Sequence, residues 1–209
     1  MAEVRRKKLS TKIIVCCVVF TTVLSIVIGW LGYKTYSDSL LDRYKVYVDS
    51  VIKIAASNID GDDMRNCIET LQKSEGFERT LLALNTVKEK SEMEYVYMVY
   101  FPNPDDPHQM AYVLNAYTEK EYREEPETIH SLGDPCGEGD FDEVTTSLFY
   151  NCLKDNGSKT QTRFHINDSE YGYMMTGYLP VMDSNGNGVC VLAMDVSMDL
   201  IHENMRSYL

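Results

Sequence analysis

The sequence predicts an α+β protein: a five-stranded antiparallel sheet with a long N-terminal helix, preceded by one transmembrane helix. Three stretches carry that expectation. Residues 13–33 run for 21 positions without a charge, and residues 34–59 continue with helical periodicity and neither Gly nor Pro. Residues 171–199, YGYMMTGYLPVMDSNGNGVCVLAMDVSMD, read as a long antiparallel hairpin running into a helix start.

The uncharged run is long enough to span a bilayer core of ~30 Å at ~1.5 Å per helical residue. Trp30 and Tyr33 stand at its far end, where amphipathic rings favour the interface. Arg5, Arg6, Lys7, Lys8 and Lys12 precede it, so residues 1–12 are expected to be a cytoplasmic tail, 13–33 the membrane helix, and 34–209 an extracytoplasmic domain. A cleaved signal peptide fits less well, because its apolar region spans only ~7–15 residues before a small-residue cleavage site.

Within residues 34–59, Leu41, Tyr44, Val48, Val51 and Ala55 form one stripe, and Leu40, Tyr47 and Ile54 a second. One stripe packs on the sheet in this reading, and the other on a second copy of the chain, giving a homodimer; a single wide buried face is the alternative. Asp60-Gly-Asp-Asp63 breaks the helix and caps the next, whose apolar face is Met64, Cys67, Ile68 and Leu71. Phe77, Leu81, Leu84 and Val87 mark a further short helix.

Residues 94–101 (EYVYMVYF) are apolar on both faces, as a central strand is, and 110–116 is the returning strand, with Asn115 on the opposite face from Tyr112 and Leu114. Residues 117–139 are polar, acidic and interrupted by Pro126, Pro135 and three glycines, which predicts a loop with little regular structure. A short helix over 142–153, a strand over 158–166 and a closing helix over 198–209 complete the order. In the final hairpin, Tyr173, Met175, Gly177, Leu179 and Val181 share one face of the first arm, and Met174, Thr176 and Tyr178 the other.

The net charge of −12 is uneven: beyond residue 33 the chain carries 15 basic and 31 acidic side chains. A body so acidic is a poor match for nucleic acid. The six cysteines contain no CxxC; two lie in the membrane segment, and Cys136 and Cys152 are either a disulfide pair or, as readily, buried thiols. No HExxH, GxSxG or phosphate loop occurs, so no cofactor, metal or enzymatic activity is expected. Asp183, Asn185, Asn187 and Gly188 match the first half of a calcium loop, but Met194 stands where its glutamate belongs, and a hairpin turn is the expectation. Asn156 and Asn167 begin glycosylation sequons by pattern.

The candidate site is polar groups embedded in strands. Tyr97, Tyr112, Asn115, Tyr173 and Tyr178 supply polar tips on strand positions, and Tyr95 and Thr176 lie among them. Arg163, His165 and Asp195 add charge, which when buried must be paired or met by a ligand. Arg163 would hold a carboxylate and Asp195 an amine, so a small-molecule ligand (an amino acid, an amine or a carboxylate) is expected. Arg163 as a solvated edge-strand residue and Asp195 as a local cap of the Ser197 turn are the alternatives.

The basic tail, membrane helix, long helix and Asn58-Ile-Asp-Gly-Asp62 resemble the start of bacterial Cache-type extracytoplasmic sensors. Tyr95-Val-Tyr-Met-Val-Tyr100, Leu132-Gly-Asp134 and above all Tyr178-Leu-Pro-Val181, Asp183, Gly188 and Val191-Leu-Ala-Met-Asp-Val-Ser197 are similar to that family's core. The resemblance implies a PAS-like sheet with the long helix on one face and a ligand pocket on the other, then a second membrane helix and a cytoplasmic output module outside this sequence. It implies that Asp195 meets a ligand amine. Amino-acid-binding members also use a closely spaced Tyr, Arg and Trp set, whereas the only Trp here is Trp30. The expected function is therefore the sensor region of a bacterial membrane receptor. The rivals are a ligandless dimerisation or protein-binding module and, further off, an exported enzyme. A cavity lined by Arg163, Tyr178 and Asp195 would favour the sensor.

Overall fold

The computed structural model describes residues 2–137, 139–155, 161–169 and 171–206. Twelve elements follow one another: α1 (Ala2–Ala56), α2 (Gly61–Thr70), α3 (Glu75–Lys90), β1 (Tyr95–Tyr100), β2 (Ala111–Asn115), α4 (Glu119–Glu124), a 3-10 turn (Pro126–Thr128), α5 (Glu143–Lys154), β3 (Arg163–Ser169), β4 (Gly172–Met182), β5 (Gly188–Ser197) and α6 (Met198–Arg206). The strands form one antiparallel sheet in the order β2-β1-β5-β4-β3. The chain divides into two units, Met1–Arg43 and Tyr44–Leu209.

In the first unit the apolar run of α1 is uncovered by protein, and Thr11–Ala56 is the one helix among the described residues long and apolar enough to cross a membrane. Its polar side chains are satisfied internally. Thr22 Oγ1 donates to the Val18 carbonyl and Ser25 Oγ to that of Thr21, both at 2.8 Å. A helix in hydrocarbon requires this, because no water is there to receive those protons.

In the second unit the sheet is covered on both faces. Val48, Ile52 and Ala55 of α1 are buried on one face, where β4 and β5 present Met175, Gly177, Leu192, Met194 and Val196. Each such Val, Ile, Leu or Met side chain contributes roughly 1.5–3 kcal/mol when fully buried. The two stripes expected on this helix resolve unevenly: Tyr44, Tyr47 and Val51 are half-buried and Ile54 is exposed.

Asp60 caps α2, its Oδ1 accepting from the amides of Asp62 and Asp63. The start of α2 lies against the end of the hairpin. A Cβ on Gly61 would fall 2.0 Å from the Met182 carbonyl oxygen, Ser184 N donates to Asp62 Oδ1, and Arg65 Nη2 pairs with Asp183 Oδ2 at 2.8 Å. Asp183 also accepts from the backbone amides of Asn185 and Asn187. Its oxygens close the turn of the hairpin. Ser74 caps α3, which buries Phe77 and Leu84.

Three expectations change. A register shift between Met98 and Val99 on β1 leaves Val113 of β2 as an extra residue, so Asn115 opposite Tyr97 and Tyr112 opposite Val99 share a face. Simple alternation had put them on opposite faces. Residues 117–139 hold regular structure: α4 begins in a capping box, Thr118 Oγ1 accepting from Glu121 N while Glu121 Oε2 accepts from Thr118 N, and Ala111 bridges to Pro135. The strand expected over 158–166 is observed as β3, and it pairs with β4 through Ser169. Asn156 lies outside the described residues.

Candidate functional site

The sheet face opposite α1 is divided. On one half, Phe149 and Cys152 of α5 pack with Tyr97, Val99, Tyr112, Tyr178, Val191 and Ala193 into a closed core. Phe149 meets Tyr178 at 5.0 Å and Phe141 at 5.9 Å between ring centres. Beyond Phe141 the helix no longer covers the sheet, and a partly enclosed cleft of about 620 Å³ opens. Its floor is Tyr95 and Tyr97 of β1, Tyr112 and Asn115 of β2, Asn167 of β3, Met174 and Thr176 of β4 and Asp195 of β5. Its outer wall is the segment 117–130, with Lys88, Phe141, Thr145 and Tyr171 at the sides.

This covering segment is tied down along its length. Tyr117 N donates to Asn85 Oδ1 and Asn115 Nδ2 to the Thr128 carbonyl. His130 stacks on Tyr112 at 4.1 Å with nearly parallel rings. Asp140 accepts from the hydroxyls of Tyr112 (3.2 Å) and Tyr171 (2.7 Å) and from Gly137 N. Lys88 Nζ reaches Glu121 Oε1 at 2.7 Å and the Ala116 carbonyl at 3.4 Å, and lies over the Tyr95 ring. Glu121 thus caps α4 and fastens it to α3.

Asp195 is the one carboxylate on the strand floor of the cleft. It is 8 % exposed and lines the cleft, and its Oδ1 has no hydrogen-bond partner among the described residues. Burial pushes its carboxyl up to about 7, while hydrogen bonding from the hydroxyls of Thr176 and Tyr97 favours the charged form. Tyr97 is in turn held well above its usual range, by burial first and then by Asp195. Asn167 Oδ1 is buried without a partner among the described residues and lines the same cleft.

Of the residues expected to form the site, Tyr97, Tyr112, Asn115 and Asp195 line this cleft. The other four do not. Arg163 forms an ion pair with Asp155 at 2.7 Å. His165 is half-buried near Asp142 at the start of α5. Tyr178 is buried under Phe149, and Tyr173 projects from the opposite face, 38 % exposed. The cavity that was to unite Arg163, Tyr178 and Asp195 therefore contains only Asp195, because α5 occupies the other half of the face. Lys88, His130, Asp140 and Tyr171 come to the cleft from elements whose packing sequence does not reveal. Asn167 was within reach of the sequence, since it continues the alternation of Arg163 and His165.

No group of His, Cys, Asp and Glu suited to a metal is present among the described residues. Cys136 and Cys152 are free thiols.

This architecture, one helix-backed antiparallel sheet with a cleft on its other face, is a PAS-like α+β fold. No protein-family model matches the chain, and a search of curated proteins finds no match. Among solved structures it is similar to the ligand-binding domain of the Campylobacter jejuni chemoreceptor Tlp3 in complex with L-norvaline, with a TM-score of 0.52 and 14% identity over 83% of this chain and 59% of that one. The E. coli DcuS sensor domain matches over 73% of this chain and 98% of its own at 12% identity and a TM-score of 0.35. The chain thus spans about 59% of the length of the Tlp3 domain. The chain therefore shares its fold with the Tlp3 ligand-binding domain.

Proposed function

We propose that residues 34–209 are the extracytoplasmic sensor domain of a membrane receptor, held by the helix 13–33 with residues 1–12 in the cytoplasm. The cleft binds a small solute through an ammonium group that meets Asp195. The orphaned Asp195 Oδ1 carries this reading: a buried carboxylate oxygen without a partner is costly, and a charge-assisted hydrogen bond from a ligand ammonium removes that cost. L-norvaline, in the Tlp3 domain, is a small solute with such a group; the reading here rests on Asp195.

Asp195 also lies two residues before Ser197, where β5 ends and α6 begins. A solute that prefers one arrangement of the floor biases that strand end, and α6 and α1 carry the change toward the membrane and an output module. A homodimer through residues 34–59 suits such a receptor, with the exposed Ile54 and Val46 on the free side of α1. The fragment itself performs no catalysis in this reading. The open cleft argues against the ligandless alternative.

The test is thermal stabilisation of the full chain in detergent micelles by a panel of small ammonium-bearing solutes. A hit whose effect disappears in Asp195→Asn supports the reading. Stabilisation retained in Asp195→Asn removes Asp195 from the site. For topology, a tag after Leu209 is expected to be cleaved by protease added to intact cells, and full protection overturns the extracytoplasmic placement.

A further inference from the structure

We infer that the cleft is built for an organic amine that carries no carboxylate, and that it selects such an amine over the parent α-amino acid. The inference rests on the proposed ammonium-binding function and goes further by naming the ligand class.

An α-amino acid brings an ammonium and a carboxylate, so a site for it needs an acceptor and a free cation. This cleft supplies only the first. Seven carboxylates line it against two lysines, and no arginine is among the lining residues. Neither lysine is unpaired. Lys88, 6% exposed, is held by Glu121 and the Ala116 carbonyl. Lys120 stands 3.8 Å from Glu124, with its side chain 77% exposed. Arg163, the guanidinium on the same sheet face, is paired with Asp155 outside the cleft.

The acidic lining alone would not define a site. The buried Asp195 carboxylate, with an unpartnered oxygen on the cleft floor, is the independent sign of a missing donor. Asn167 Oδ1 is a second buried acceptor without a partner on that floor. Unmet acceptors in a negative field call for a cation rich in N–H. The rings of Tyr95, Tyr97, Tyr112 and Phe141 provide apolar faces for the ligand body and favour positive charge beside them. A ligand carboxylate would face Glu94, Glu125 and Glu127 with no unpaired lysine and no arginine among the lining residues to offset its lost hydration.

The experiment measures binding of matched pairs to the full chain in detergent micelles by calorimetry: cadaverine with L-lysine, and phenethylamine with L-phenylalanine. Each amine is expected to bind at least ~10-fold more tightly than its amino acid, since a buried charge without a partner costs more than the ~1.4 kcal/mol that this ratio represents. Tighter binding in the cadaverine pair identifies a linear diamine, and in the phenethylamine pair an aromatic monoamine. Equal or tighter binding of the amino acids, lost in Asp195→Asn, overturns this inference and leaves the ammonium-binding function standing. Absence of binding by all four overturns the amine assignment, and any binding unaffected by Asp195→Asn overturns the underlying function. As a second variant, Glu127→Lys is expected to weaken amine binding and strengthen that of the amino acid; no change in the ratio counts against selection by charge.

Discussion

A Cβ placed on Gly177 of β4 would stand 2.5 Å from Cγ1 of Val48 on α1. The helix therefore touches the sheet at a point where only hydrogen fits, and Phe164 closes the same space from β3 at 3.2 Å. This contact seats the long helix against the central hairpin.

Gly177→Ala is expected to destabilise the fold by roughly 2 kcal/mol, within the ~1–3 kcal/mol typical of overpacking. For a chain of this size that lowers Tm by about 4–8 °C. Val48→Ala removes the clashing methyl, so the double variant should lose less than the sum of the singles. Additive losses in thermal denaturation would place the strain elsewhere.

Lys88→Met should loosen the covering segment. Burial alone would raise the Glu121 carboxyl, but hydrogen bonds from Lys88 and Thr118 bring it below its usual range. A carboxyl held low stabilises the fold above its ordinary value and loses that contribution as pH falls from there through its lowered folded value. Glu121 is partly solvated, so the expected loss is only about 1–2 kcal/mol, less than for a fully buried pair. Limited proteolysis should then cut within residues 117–130 sooner than in the parent protein. An unchanged pattern would show that the His130–Tyr112 stack and the Asn85 and Asn115 bonds suffice.

Asp195 acts on stability with the opposite sign. Its folded value near 7 lies above the ordinary 3.8, so the folded state binds more protons between those values. Its contribution is intact below 3.8 and declines as pH rises through 7. Asp195→Asn should accordingly stabilise the unliganded protein at pH 8, on the order of a few kcal/mol, with the gain shrinking toward pH 4. Denaturation of both proteins across that range reads the difference. A constant gap would mean that the carboxyl is not held neutral.

The same titration predicts how binding responds. An aliphatic amine stays charged across neutral pH, so its partner Asp195 sets the profile. Affinity should rise with pH by about 10-fold per unit below pH 7 and level off above it. A flat profile from pH 5 to 8 would mean that another group receives the ammonium.

The helix-backed sheet was legible because periodicity records burial. Residues 173–181 alternate strictly, 189–196 are apolar throughout, and β4 and β5 pair in that register at the centre of the sheet. The cleft was legible only in part. Asp195 was identifiable as a charge inside an apolar strand. Asn115 was placed on the wrong face relative to Tyr112, because the extra residue Val113 shifts alternation without leaving a mark in hydropathy. The capping box from Thr118 to Glu121 was present in sequence but masked by the polar composition around it.

By itself the chain determined an uncharged run suited to a membrane, an acidic α+β body and a buried carboxylate near its final helix, since each is written in neighbouring residues. Tertiary structure alone decided that Phe149 fills the half of the sheet beside Tyr178, that Arg163 is spent on Asp155, and that Lys88 is held by Glu121. Those pairings join residues from 8 to 33 positions apart. Their physical cause is competition for the same partners in space, which local pattern does not encode.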